Sequence, residues 1–201
     1  MNITSITKLR ELYGFPKGRA KDKVLHKLDK HAINFIETSP FLIISTVSEQ
    51  GQMDASPRGG EAGFIKIINE NTILIPDSKG NNRLDSLTNI IQTGSIGMIF
   101  LIPGIDETLR INGNAQISTK QEYLDYYQGE KNLPKVCIVV SISELFLHCA
   151  KALMRSKLWH EDSKIDRSKF PTMGKMLNEQ LGIKDKVETQ AEMVERYHKD
   201  L

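Results

Sequence analysis

Hydrophobic and polar positions follow two different periods along this chain. Over KDKVLHKLDKHAINFIETSPF, residues Val24, Leu25, Leu28, Ala32, Phe35 and Ile36 fall on one helical stripe with the lysines outside it. This predicts an amphipathic helix that ends at Pro40. A shorter helix is predicted over residues 3–12, before Gly14 and Pro16. After Pro40 the period shortens to two. FLIISTVSEQGQMDASP reads as two strands around a turn at Glu49 to Gly51, and GFIKIINENTILIPD as a hairpin around Asn69 to Asn71. SIGMIFLIPG and ETLRINGNAQIST supply two more strands joined near Gly104, and KVCIVVSIS adds another.

Short helices are predicted at residues 83–92 and 120–128, and the stretch 144–201 reads as helical in three pieces: ELFLHCAKALMRSKLW, PTMGKMLNEQLG and VETQAEMVERYHK. Many short strands interrupted by small helices favour a mainly β, α+β architecture built on a closed or half-closed barrel. Barrel closure would also hide the edges of so many apolar strands. The expected organisation is one structural domain with a helical extension at residues 1–40, a barrel core at 41–159 and a second helical extension at 160–201.

Composition narrows the function classes. With 201 residues, 39% hydrophobic and 26% charged, the chain can bury a core without disulfides or metals. The N-terminus has no apolar run of signal-peptide or anchor type, and no stretch approaches a membrane span, so a cytoplasmic protein without membrane contact is expected. Cys137 and Cys149 are expected to be reduced and buried, in a strand and a helix respectively, and no metal site is expected. A net charge of +2 does not point to nucleic acid. The charge is uneven, however: residues 1 to 31 hold eight Lys or Arg against three acidic residues, and Lys151, Arg155, Lys157, Lys164, Arg167 and Lys169 form a second basic cluster. Such local clusters suit a small anion better than a duplex.

Three segments could carry chemistry. In IPDSKGNNRLDSLTNI an apolar strand turns through Gly80 into a helix, with Asn82 as its expected N-cap and Asp85 three residues on. Lys79 and Arg83 would then flank free backbone N–H groups, where a phosphate gathers both charge and hydrogen bonds. A well-capped surface helix would give the same sequence. In DASPRGGEAGF, Pro57 and the two glycines after Arg58 are expected to break regular pairing, so that Ser56 and Arg58 meet a ligand; a simple β-bulge is the alternative. In LFLHCAKALMRSKLW, His148, Lys151 and Arg155 are spaced to share one helical face, with Trp159 four residues further on. These are candidate cofactor or substrate contacts, without a catalytic residue being assigned. Asp106, Glu107 and Arg110 suggest a strand-to-strand ion pair or an interface contact. No Walker, Rossmann, nucleophile-elbow or HExxH motif is present.

Taken in order, ASPRGG, ILIPD, GNNRLDSLTNI, PGIDETLRING and LHCAKALMRSKLW resemble the pyridoxamine 5'-phosphate oxidase-like superfamily of split-barrel flavin mononucleotide (FMN) proteins. More narrowly they resemble its probable FMN-dependent enzyme subgroup, from about Phe41 to Trp159. The resemblance implies a split β-barrel and an FMN-dependent oxidoreductase of unidentified small-molecule substrate. It also implies a homodimer with FMN at the subunit interface. By position it implies flavin contacts from Ser56 and Arg58, and phosphate contacts from Ser78, Lys79, Asn82 and Arg83, with Asp77 and Asn81 shaping the turn. The helix with His148, Lys151 and Arg155 would lie near the active site. The authentic oxidase's Arg-x-Val-Leu-Leu-Lys strand and C-terminal tryptophan and arginine motif are missing, so the vitamin B6 reaction is not implied. A non-enzymatic flavin-binding or redox-sensing protein is the alternative, with a deazaflavin or haem binder behind it.

Overall fold

The computed structural model describes residues 2–199. Seven strands form one antiparallel sheet: β1 (Phe41–Val47), β2 (Met53–Gly59), β3 (Lys66–Asn69), β4 (Thr72–Pro76), β5 (Ser95–Leu101), β6 (Thr108–Ser118) and β7 (Cys137–His148). Their order is β2-β1-β5-β6-β7-β4-β3. Among the described residues no ladder joins β2 to β3, so the expected mixed α+β architecture is present but hydrogen bonds do not close the sheet into a barrel. Both free edges are protected in other ways. β3 is only four residues long and bulged, and β2 carries Pro57. Contrary to expectation, pairing does not break at Pro57, because β2 is an edge strand and runs in continuous register with β1 through Gly59.

The long strands β6 and β7 hold the sheet together. They pair from Thr108↔His148 to Ser118↔Cys137, with one register shift between Asn112 and Gly113. The first half of β6 also takes β5, and the first half of β7 takes β4. Strand bending at this bulge requires a glycine, because a Cβ at Gly113 would run into the backbone oxygen of Ser141.

Alternation then sorts the side chains. Leu42, Ile44, Ile96, Met98, Phe100, Leu109 and Ile111 face the core, where they meet helices α3 (Lys30–Thr38) and α4 (Asp85–Thr93). β4 and β7 are buried on both sides, because Leu74, Val139 and Cys137 lie inside too and Tyr127 OH donates to Leu74 O at 3.2 Å. Near Tyr127 lies α5 (Gln121–Leu124).

The predicted long helix before Pro40 is divided. A short turn, α2 (Arg19–Asp22), ends early, and the backbone of Leu25 pairs with Leu145 of β7 instead. Asp29 then caps α3, accepting from Ala32 N at 2.8 Å. Leu28, Ala32, Phe35 and Ile36 are buried as the stripe predicted, but Leu25 is not. At the other end of the chain, the segment from Glu144 to His148 is strand rather than helix, since pairing with β6 overrides its modest helical preference. Cys149 follows it and is exposed, whereas Cys137 is buried as expected; both are free thiols. The remaining helices are α1 (Ile6–Tyr13), α6 (Lys151–Ser156), α7 (Met173–Leu181) and α8 (Gln190–His198). Among the described residues no helix is long and apolar enough to cross a membrane.

Gly113→Ala is expected to destabilise the protein by about 2 kcal/mol or more, since backbone must move to admit the methyl group. Urea unfolding followed by circular dichroism measures this. An unchanged midpoint would show that the β6–β7 bend does not depend on that close approach.

Candidate functional site

Asp54, Ser56 and Arg58 alternate along β2 and are half-buried on the sheet face that meets α4. Three polar bonds fasten that helix to the strands. Ser86 Oγ donates to Asp54 Oδ2 at 2.5 Å, Asn89 Nδ2 to Thr46 Oγ1 at 3.0 Å, and Thr93 Oγ1 to Val47 O at 2.9 Å. Because Ser86 lies in the first turn of α4, its bond to Asp54 draws the helix N-terminus towards the stretch of β2 that carries Ser56 and Arg58. The Arg58 guanidinium is held locally, Nη1 donating to Ser56 Oγ at 2.6 Å and to Pro57 O at 2.8 Å.

Asp77 directly follows β4 and faces the same centre. Burial lifts its carboxyl above the ordinary value, against the opposing pull of Arg58 and Lys135. Burial likewise pulls Arg58 below its ordinary value, with Asp77 and then Asp54 opposing. From Ser78 to Leu84 the chain is exposed. Here the predicted cap is corrected. Asn82 is left-handed at φ 60° and does not cap the helix; Leu84 occupies the cap position, also left-handed at φ 59°, and α4 begins at Asp85 with no side-chain cap. The diversion starts with Asn81, whose Oδ1 accepts from Arg83 N at 3.1 Å. Asp85 does not close a capping box either, because Arg83 Nε donates to its Oδ2 at 2.8 Å. The result is a helix N-terminus without a side-chain cap, beside the Arg83–Asp85 ion pair.

The second predicted cluster lies elsewhere. His148 is the last residue of β7, not a member of the helix that holds Lys151 and Arg155, so the three do not share a helical face. Trp159 is half-buried and donates from Nε1 to Ile105 O at 2.9 Å, tying the segment after α6 to the β5–β6 turn. The register decides the side: Pro57, Ile43, Ile99, Arg110 and Phe146 form one cross-strand row on the face opposite Arg58, and His148 lies on that same outer face. Within one protomer, therefore, Ser56, Arg58, Asp77 and the α4 corner lie on one side of the sheet and His148 on the other.

Two groups of outer-face residues carry no motif that would single them out. The Phe146 ring is flanked by Lys23 Nζ at 4.8 Å, by the Arg110 guanidinium at 5.5 Å and by the His148 ring at 5.1 Å. Arg110 makes no ion pair with Asp106 or Glu107 among the described residues; it lies over the Phe146 ring instead. Burial, then Lys23 and Arg110, push the His148 imidazole below its ordinary value. Beside this cluster an open groove of about 570 Å³ is lined by His26, Ser45, Gly97, Arg110, Asn112 and Glu144. Strict alternation along β6 would have placed Arg110 and Asn112 together, but only the β7 register adds Glu144, which accepts from Asn112 Nδ2 at 2.7 Å. Among the described residues no group of three or more His, Cys, Asp or Glu is arranged to hold a metal ion.

The family model described as pyridoxamine 5'-phosphate oxidase matches residues 28–149, from just before α3 to just past the end of β7. The chain belongs to this family. Solved relatives of the pyridoxamine 5'-phosphate oxidase fold are distant. HupZ of Group A Streptococcus is 18% identical, with a TM-score of 0.51, over 60% of this chain and 93% of that one. A single-residue variant of HupZ gives the same identity and TM-score over 98% of its own length. An FMN-binding protein of Syntrophomonas wolfei is 17% identical, with a TM-score of 0.44, over 58% of this chain and 81% of that one. No curated protein sequence matches. The family match stops at Cys149, before α6 and the rest of the C-terminal segment.

Asp77→Asn tests the electrostatics of this corner. The folded protein holds the Asp77 carboxyl above its unfolded value of 3.8, so its ionised form is disfavoured even with Arg58 nearby. The asparagine variant is therefore expected to melt higher than wild type at pH 7. That advantage is full above the folded pKa and disappears as pH falls through it and below 3.8. Melting curves from pH 3 to 8 check this, and a lower midpoint at pH 7 would refute it.

Proposed function

We propose that this protein is a cytoplasmic FMN-dependent oxidoreductase acting on a small molecule, and that it works as a homodimer with the flavin at the subunit interface. The observation that carries this reading is the division of the candidate site between two faces of one sheet. A ligand contacted by both halves needs the outer face of a second protomer, because the Arg58 side and the His148 side cannot meet within one chain. The outer face also has the composition of an interface: Phe41, Ile43, Ile99 and Met53 are exposed there. Membership of the pyridoxamine 5'-phosphate oxidase family favours a flavin over other ligands.

The corner suits the phosphate end of that cofactor. First-turn N–H groups of α4 can donate to phosphate oxygens, while Lys79 and Arg83 supply charge. Arg83 would exchange its exposed Asp85 partner for the phosphate, a small cost for a pair so open to water. Ser78 and Asn82 lie in the same exposed turn. Bound FMN would supply the hydride or electron transfer. Arg58, fixed by Ser56, would hold positive charge against the ring system, with the nearby Asp77 carboxylate favouring its charged form. From the partner subunit, the cationic cluster around the Phe146 ring would bind the carboxylate or carbonyl of a substrate. His148, whose protonation is disfavoured by burial and then by its cationic neighbours, would be a neutral hydrogen-bonding group at pH 7. Lys151, Arg155 and Trp159 follow it and would border the same mouth.

Purified protein is expected to carry a yellow ligand with the mass of FMN, or to bind added FMN in a fluorescence titration. Arg83→Ala should weaken FMN about tenfold, the value of one charge-assisted hydrogen bond. It should leave riboflavin, which lacks the phosphate, unchanged. A protein that neither contains nor binds flavin would sink the proposal. Flavin that binds but is never reduced by NADH, NADPH or small-molecule donors would leave a flavin-binding protein without turnover.

A further inference from the structure

The chain exposes far more surface than a protein of its size needs. Its accessible area is 14110 Å² for 22.7 kDa. A compact monomer of that mass exposes about 9,500 Å², so the excess is about 4,600 Å². The excess coincides with the two extensions, since α1, α2, α6, α7 and α8 contain no buried residue.

These extensions are nevertheless well specified. Ser5 caps α1, Thr172 caps α7, and Thr189 with Glu192 forms a complete capping box on α8. Gly182 ends α7 in the left-handed conformation. Two of these helices also carry an apolar stripe at helical spacing: Ile6, Leu9 and Tyr13 on α1, and Met173, Leu177 and Leu181 on α7, all exposed. Helices of eight or nine residues are not stable in water without a surface to pack on. The sheet domain of the same chain gives them little. Its bonds to the C-terminal arm include Trp159 Nε1 to Ile105 O and a long one, Lys131 Nζ to His198 O at 3.4 Å.

From these observations we infer that the helical extensions of each copy clasp the other copy, extending the sheet-face contact into an interlocked dimer. A second copy is the occupant that matches the area. A standard contact across the outer sheet face alone removes about 800 Å² per partner and would leave most of the excess uncovered. Covering half the excess on each chain buries about 4,600 Å² in total, the range of obligate homodimers rather than transient contacts. The geometry is also continuous. The C-terminal arm leaves the sheet at His148, on the outer face that the dimer contact uses, and the N-terminal arm joins it through Lys23, whose Nζ donates to Leu147 O at 2.8 Å. The inference rests on the dimer proposed above but not on the flavin. Its consequence is that the arms, which lie outside the family match, would form the outer wall of the partner's site.

Amide hydrogen exchange on the full chain, across a dilution series whose dimer fraction is set by analytical ultracentrifugation, tests this directly. Amides of α7 and α8 should be protected in the dimer and exchange at near-unprotected rates in the monomer. Leu177→Asp combined with Leu181→Asp should raise the dimer dissociation constant at least about tenfold, the equivalent of about 1.4 kcal/mol. Ile43→Asp, which alters the sheet face and leaves the arm sequence intact, should abolish arm protection together with the dimer. Arm protection independent of concentration would overturn the inference, because the arms would then pack on their own chain. So would a dimer constant within twofold of wild type in the arm variant. Arms unprotected in the dimer but protected by anionic phospholipid vesicles would also overturn it, in favour of a lipid surface. A wild-type chain that stays monomeric defeats the dimer and the clasp together, while the FMN titration judges the flavin reading separately.

Discussion

Pairing of β6 with β7 is the constraint on which the rest of this structure depends. These strands are 11 and 12 residues long and stay paired from end to end across one bulge. The bulge divides the sheet into two parts. On one side the early half of β6 carries β5, β1 and β2; on the other the early half of β7 carries β4 and β3. Because side chains alternate without interruption from β2 across to the late half of β7, the same ladder fixes which face each residue takes. A one-residue slip of β1 and β2 together against β5 would exchange Arg58 for Pro57 on the α4 side and expose Leu42 and Ile44.

The polar bonds between α4 and the sheet do for the site what the ladder does for the core. An apolar helix–sheet contact would hold α4 by area but leave it free to slide. Ser86 to Asp54, Asn89 to Thr46 and Thr93 to Val47 fix its height at three successive turns. Asn89 and Thr46 are both buried, so each would carry an unsatisfied polar group if the helix moved. The position of the helix N-terminus against β2 thus follows from satisfaction of buried polar atoms, while Arg58 is held separately by Ser56 Oγ and Pro57 O, with Asp77 near it after β4. Both charges are disfavoured by burial, and each partly relieves the other.

Periodicity makes the strands legible, because β-branched alternation and turn residues report directly on pairing. The fold family is legible for a different reason: five short motifs in the right order constrain an ordered site more than any one of them does, and residues 28–149 match that family. What sequence pattern cannot give is the outcome of competition between local and long-range partners. Leu25 fits a helical stripe, yet its backbone belongs to Leu145, 120 residues away in the chain. Leu145 and Leu147 fit a helix equally well, yet β6 claims them. Pro57 reads as a break only while its strand is not known to be an edge. The grouping of His148 with Lys151 and Arg155 fails because β7 claims His148 while α6 holds the other two, and the outer-face cluster around Phe146 is visible only once β6 and β7 are in register.

The least compact part of the candidate site is also the most informative about it. Among the described residues, the helices of eight residues or more are α1, α3, α4, α7 and α8. Four of them begin with a serine, aspartate or threonine that accepts a backbone N–H bond: Ser5, Asp29, Thr172 and Thr189. Only α4 does not, although Asn81 and Asn82 lie close enough in sequence for one to have served. In its place stand two left-handed residues, Asn82 and Leu84, the second a side chain that rarely accepts that conformation. A cap is worth about 1 kcal/mol and a strained residue costs about as much. A chain that caps its other long helices and forgoes both gains here leaves α4 without a side-chain cap, beside the Arg83–Asp85 pair. On the reading proposed above, a phosphate would supply the missing cap and take Arg83 from Asp85, so an open, strained turn in the free protein would become a favourable one on binding.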